Sequence, residues 1–192
     1  MKVLLLCGYR PLHNNAVPLG MDPDPSGESI LLDHQLIGLR GLGLSPVCVL
    51  SGPGADDLLR SSRCLSDAEL VYDTNADEVG LASNVKAGLA AATGEGCFIL
   101  PVEIPLPPPP VWIHLKESWR REGLHTSSSH ILQLVKDSGE PWGLGFPLLV
   151  TRKGNDVIQS LSPFRSLVDT RLKYLAVSIR READLASTEN AL

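Results

Sequence analysis

The sequence predicts an α/β fold, a three-layer sandwich built around a mostly parallel central sheet. Three observations lead there. Short apolar runs alternate with helical periodicity four times in the first hundred residues. The runs are continuously apolar, as strands buried on both faces are. The composition, 43% hydrophobic and 20% charged over 192 residues with a mean hydropathy of +0.06, supplies one ordinary core and leaves no room for a second full-sized domain. We therefore expect residues 1–192 to form a single domain.

Lys2 to Cys7, closed by Gly8, reads as the first buried strand. From Gly8 to Gly27, Pro11, Pro18, Pro23 and Pro25 with Asn14, Asn15, Gly20 and Ser26 predict a long irregular loop. Periodicity at Ile30, Leu31, His34, Ile37 and Leu42 predicts a helix that starts near Glu28 or Ser29 and ends at Gly41 and Gly43. Pro46 to Ser51 is a second strand. Gly52-Pro53-Gly54 then turns into a short helix with Asp56 and Asp57 in its first turn. Glu69 to Tyr72 is a third strand, Val79 to Ala92 a helix stopped by Gly94 and Gly96, and Cys97 to Val102 a fourth strand.

Pro105 to Pro110 is bracketed by that strand and by an apolar helix carrying Trp112, Ile113, Leu115 and Trp119, so it reads as a stiff turn. Further strands are expected at Ile131 to Val135, Pro147 to Thr151 and Tyr174 to Ile179. Helices are expected near Asp156 to Leu161 and Pro163 to Leu172, with a short helix or tail at Ala186 to Leu192.

Charge and cysteine content narrow the function classes. Seventeen Lys and Arg against 22 Asp and Glu give a net charge of −5, and no basic cluster exceeds pairs such as Arg120-Arg121 and Arg180-Arg181. A broad nucleic-acid-binding face is disfavoured. The run Val3 to Cys7 is far short of the roughly 20 apolar residues of a spanning helix, and no signal-peptide cleavage site follows it. Cys7, Cys48, Cys64 and Cys97 lack CxxC spacing and read as reduced structural thiols, compatible with the cytoplasm.

In an open parallel sheet, ligands bind beyond the carboxyl ends of the strands. Three segments belong there: Gly8 to Gly27, Asn75 to Gly80, and Pro101 to Pro105. Glu103, between two prolines after a buried strand, is either one ligand of a Mg²⁺ ion or a solvated loop carboxylate. Gly8 either opens a backbone nest for an anion or makes a turn. Asn75, Ser83 and Asn84 either cap the next helix or meet a base and sugar. Gly52-Pro53-Gly54 lacks the third glycine of a dinucleotide fingerprint.

Together these segments resemble a family. Leu4-Leu5-Leu6-Cys7-Gly8, Arg10-Pro11-Leu12, Leu32-Asp33-His34-Gln35, the stretch Gly80 to Leu89, and Phe98 to Pro105 are similar to successive landmarks of the nucleotidyltransferase superfamily. The molybdenum-cofactor cytidylyl- and guanylyltransferases are the nearest members by this resemblance. Gly143 to Pro147 resembles the family's glycine, histidine, proline turn, and Asp184 to Glu189 its closing acidic motif. The resemblance implies a nucleotide-diphospho-sugar transferase-like fold and transfer of an NMP from an NTP to a phosphorylated small-molecule acceptor. It implies Mg²⁺ held at Glu103, where the family carries a metal-binding Asp. It further implies a nucleotide site from Cys7, Gly8, Arg10, Asn75, Gly80 and Ser83, with Arg10 and Glu103 as the catalytic pair.

Departures from the pattern bear on activity. No Lys occurs between Lys2 and Lys86, Phe146 stands in place of the family's His, and Ala186 in place of its second closing Asp. Losing one preorganised transition-state contact costs on the order of 10²- to 10³-fold in rate. Two functions therefore stay open: a divergent Mg²⁺-dependent nucleotidyltransferase, and a non-catalytic nucleotide- or sugar-nucleotide-binding relative serving as sensor or partner subunit. An interaction module built on Pro105 to Pro110 is the least favoured.

Overall fold

A computed structural model describes residues 1–12, 15–18, 20–24, 26–52, 54–73, 81–92, 94, 96–121, 130–136, 146–160 and 173–179. In chain order the elements are β1 (Lys2–Cys7), β2 (Tyr9–Leu12), β3 (Asn15–Pro18), α1 (Leu31–Gly41), β4 (Ser45–Ser51), α2 (Ala55–Ser61), β5 (Glu69–Asp73) and α3 (Leu81–Ala91). There follow β6 (Gly96–Pro101), α4 (Pro109–Arg121), β7 (His130–Lys136), β8 (Leu148–Thr151), α5 (Arg152–Ser160) and β9 (Lys173–Ile179).

Seven strands form one sheet in the order β5-β4-β1-β6-β8-β7-β9. β1, β4, β5 and β6 are mutually parallel, as the sequence predicts, and β7 runs parallel to β9. Only β8 is reversed, antiparallel to both β6 and β7. The alternation of side chains along each strand fills two cores. Val3, Leu5, Cys48, Leu50, Phe98 and Leu100 meet α1 and α4 on one face. Leu4, Leu6, Val47, Val49 and Ile99 meet α3 and α5 on the other. Helices on both faces complete the three layers.

Gly88 lets α3 pack directly on the sheet: a Cβ there would stand 2.6 Å from Val49 Cγ2 and 2.9 Å from Leu4 Cδ1. α4 is anchored through Trp112, whose ring packs edge-on against Phe98 at 5.0 Å and whose Nε1–H donates to the Pro107 carbonyl at 2.9 Å. That bond makes the proline segment part of the fold. Its last two prolines, Pro109 and Pro110, belong to the first turn of α4, where a missing N–H costs nothing.

Several expectations need correction. The irregular loop from Gly8 to Gly27 contains a two-stranded antiparallel ribbon, β2 against β3, with Pro11 opposite Ala16 and Pro18 opposite Tyr9. Both strands of such a ribbon are edges, so proline is tolerated in them. Helix α1 has the expected extent but a different buried face: Leu32, Leu36 and Leu39 point into the core, while Ile37 and His34 are exposed. Glu28 and Ser29 do not cap it; Ile30 holds the cap position, and both residues bond Asp24 instead. α5 starts at Arg152, four residues before the expected Asp156, because the Thr151 hydroxyl ends β8 and accepts the Gly154 N–H at 3.1 Å as an N-cap. The expected helices at Pro163 to Leu172 and Ala186 to Leu192 lie outside the described residues, as do Val79 and Gly80.

Candidate functional site

Strand order reverses between β1 and β6: the chain builds outward from β1 through β4 to β5, then returns to β6 on the other side. Such a switch point leaves a crevice at the carboxyl ends of the two strands. β1 ends in Cys7, followed by Gly8. Leu6 is in register with Pro101, and the Val102 N–H extends the ladder by donating to the Leu6 carbonyl at 3.1 Å.

Beyond β6 the chain turns sharply, with the Ile104 N–H donating to the Pro101 carbonyl at 3.1 Å. Glu103 sits at this turn with its side chain exposed, while Val102 beside it is buried. The Glu103 charge reaches the buried Cys7 thiol. Hydrogen bonding to Cys48, then burial, then the Cys48 and Glu103 charges hold that thiol well above its usual range. Cys7 is fully buried in the core beneath this edge, and a thiol so raised is a poor ligand for a hard cation.

The turn is held from below by Gln35 of α1. This fully buried amide donates through Nε2 to the Val102 carbonyl at 3.3 Å and to the Ile104 carbonyl at 2.6 Å. The carbonyls on either side of Glu103 are therefore both tied to one helix.

A second polar group lies at the ends of β4 and β5. Ser51 and Asp73 are in register and both buried. Ser83, in the first turn of α3, donates its hydroxyl to Asp73 Oδ1 at 2.9 Å, so it is not the helix cap that its position suggested. Asn84 beside it is 6% exposed, and its Oδ1 is buried without a hydrogen-bond partner among the described residues. Three inter-strand gaps separate β5 from β6, so this group stands roughly 14 Å from Glu103 along the rim of the sheet.

Of the residues the sequence singles out, Cys7, Gly8, Ser83 and Glu103 come to this one edge. The backbone of Arg10 lies in β2, two residues past Gly8, and its side chain lies outside what is described. Asn75, Gly80 and the closing motif at 184–189 lie outside the described residues. Gln35 and Asp73 were not anticipated. Asp73 ends β5 one residue beyond the strand expected at Glu69 to Tyr72, and Gln35, part of the Leu32-Asp33-His34-Gln35 landmark, lies on the buried face of α1 rather than the expected one. Among the described residues no three His, Cys, Asp or Glu side chains gather into a metal cluster, and no helix is long and apolar enough to cross a membrane. All four cysteines are free thiols.

No protein-family model and no curated protein matches the sequence. Solved structures do. A nucleotidyl transferase from Methanothermobacter thermautotroptrophicus is 17% identical at a TM-score of 0.60, with 96% of this chain and 89% of that chain covered. Rv0371c from Mycobacterium tuberculosis, in complex with manganese, is 16% identical at a TM-score of 0.60, covering 97% and 95%. HddC from Yersinia pseudotuberculosis, complexed with GMP-PN, is 15% identical at 0.55, covering 91% and 89%. At these identities the likeness is one of fold: the chain has the α/β architecture of nucleotidyltransferase-like proteins over nearly its whole length.

Proposed function

We propose that the protein transfers a nucleotidyl group from an NTP to a phosphorylated small-molecule acceptor, of the molybdenum-cofactor or sugar-phosphate type. The observation that carries this reading is Glu103, an exposed carboxylate on a clamped turn at the switch point of the sheet. A fold shared with a nucleotidyl transferase supports it. In the reaction an acceptor phosphate oxygen forms a bond to the α-phosphorus and the bond to the bridging oxygen breaks, releasing pyrophosphate. The protein's part is positioning and charge neutralisation.

In this reading Cys7, Gly8, Asn75, Gly80 and Ser83 line the nucleotide, and Arg10 grips phosphate oxygens with its guanidinium. Glu103 supplies one hard oxygen for Mg²⁺. A single carboxylate fits an ion whose other ligands are phosphates and water. When bound, the ion would neutralise charge on the phosphates. The four free thiols suit the cytoplasm. A second reading, a non-catalytic nucleotide-binding relative acting as sensor or partner subunit, is favoured by one observation: the sequence has no Lys between Lys2 and Lys86 to contact phosphates.

A pyrophosphate-release screen over the four NTPs, with Mg²⁺ or Mn²⁺ and a panel of phosphorylated acceptors, separates the two readings. Calorimetry tests the site itself. Glu103→Ala should abolish divalent-dependent nucleotide binding, and equal affinities for wild type and variant would remove Glu103 from it. Arg10→Ala should lower turnover further, since a planar guanidinium is already an imperfect substitute for a lysine point charge.

A further inference from the structure

We propose that Gln35 is a positioning residue for the Glu103 carboxylate, an inference that rests on the function proposed above. Both partners of the Gln35 amide are carbonyl oxygens, so only its nitrogen can face them and its orientation is set by chemistry. Both of its protons go to the residues flanking Glu103. Among the described residues its own Oε1 is buried with no hydrogen-bond partner, so the amide leaves one acceptor unmet while it serves two carbonyls of the turn. An apolar side chain at this position would fill the core without that orphaned acceptor.

What the amide adds is direction. β1 holds the turn through Leu6 and Val102, and the turn closes on itself through Pro101 and Ile104. Neither bond reaches the Val102 carbonyl, which belongs to the peptide plane entering Glu103, or the Ile104 carbonyl, which belongs to the plane one residue beyond it. Gln35 ties these two planes to α1, and with the Ile104 N–H bond to Pro101 between them the backbone through Glu103 is held on both sides. Groups that hydrogen-bond a liganding side chain directly typically contribute 10- to 100-fold in metal affinity or activity, and Gln35, which acts on the backbone around that side chain, belongs at the low end.

The test is Mn²⁺ binding followed by electron paramagnetic resonance in the presence of each of the four NTPs, with thermal unfolding measured alongside. Gln35→Met, similar in length and without donors, should fold and melt within a few degrees of wild type yet bind Mn²⁺ with the NTP about 10-fold more weakly. Gln35→Glu keeps the size and turns an oxygen toward both carbonyls, so it should lose at least as much. In a Glu103→Gln background, Gln35→Met should change nothing further, because it acts only through that carboxylate.

Wild-type Mn²⁺ affinity in Gln35→Met overturns the inference, and so does an equal loss with and without Glu103. Collapse of the fold in both Gln35 variants overturns it as well, by making the amide a residue of stability. A wild type that is indifferent to Glu103→Gln overturns the proposed function, and this inference with it. Sensitivity to Glu103→Gln combined with indifference to Gln35→Met leaves the function standing and removes Gln35 alone.

Discussion

The Asp33 carboxylate accepts the Ser62 hydroxyl proton, fastening α1 to the turn that follows α2. Two backbone donors converge on the same group, Arg63 N–H at 3.0 Å and Cys64 N–H at 3.3 Å. Asp33, His34 and Gln35 are thus three successive residues that reach three different loops: the turn after α2, Asp24 at 3.7 Å, and the Glu103 turn. Successive positions on a helix are about 100° apart, which makes such a fan possible.

Replacing Asp33 by Ala would leave those donors without their acceptor in a largely buried position. An unsatisfied buried group costs about 1–3 kcal/mol. With about 2–4 °C of Tm per kcal/mol in a protein of this size, Asp33→Ala should melt several degrees below wild type. A melting curve identical to wild type would show that the loop finds other partners.

Asp24 organises the loop before α1. The Ser26 hydroxyl is the largest influence, and with the Ser29 hydroxyl and backbone N–H groups it holds the carboxyl at about 2 against partial burial, which pulls upward. In the unfolded chain the group titrates near 3.8. The folded state therefore binds fewer protons than the unfolded state in this window, and the contribution to stability is fully present above about pH 4 and lost as pH falls toward 2. Urea midpoints followed from pH 5 to pH 2 should fall more steeply for wild type than for Asp24→Asn. Parallel curves would remove Asp24 as the cause.

Gly88 sets the distance between α3 and the sheet. Alanine there brings about 1 kcal/mol of helix propensity against an overpacking cost of about 1–3 kcal/mol, so Gly88→Ala should be mildly destabilising. Gly88→Val, with two more methyl groups directed at Val49 and Leu4, should be clearly worse. A Val variant as stable as wild type by chemical denaturation would show that α3 can lift without penalty.

The buried thiols should be inert in the native protein. Burial raises Cys97 to about 12 and pushes Cys64 upward, while Cys7 is raised by its bond to Cys48. Reactivity follows the thiolate fraction. A thiol reagent at pH 7 should label the buried Cys7, Cys48 and Cys97 only after denaturation and the half-buried Cys64 more readily, and rapid native labelling of Cys7 or Cys97 would contradict the packing around them.

Much of the fold was legible because buried parallel strands announce themselves as continuous apolar runs. Lys2 to Cys7, Pro46 to Ser51 and Cys97 to Val102 were found nearly to the residue. What failed was phase and context. In α1, an apolar pattern at Ile30, His34 and Ile37 outweighed the true stripe at Leu32, Leu36 and Leu39, because the true face also buries polar Asp33 and Gln35. Their partners lie 29 and 67 residues away or more, beyond any local pattern. The place of Glu103 was legible because it follows a buried strand at the carboxyl edge of the sheet. Its support from Gln35 was not, since only the folded chain brings α1 beneath that turn.

Ser83 provides a test of whether the crevice has two separable ends. Its one hydroxyl proton is committed to Asp73, so it can offer a ligand only its lone pairs, and the group it meets must be a donor such as a ribose hydroxyl or a base amino group. Losing a hydrogen bond between neutral groups costs about 0.5–1.5 kcal/mol, so Ser83→Ala should weaken NTP binding by about two- to tenfold. Because Ser83 adjoins the β5 end of the rim, roughly 14 Å from Glu103, the loss should be the same with Mg²⁺ and with a chelator. Sites more than about 7–10 Å apart with no shared partner add within about 0.5 kcal/mol, so the effects of Ser83→Ala and Glu103→Gln should multiply in the double variant. Calorimetry on the two singles and the double measures this directly. A double variant no weaker than Glu103→Gln alone would mean that both residues act on the same ligand group, and the two-ended crevice would have to be abandoned.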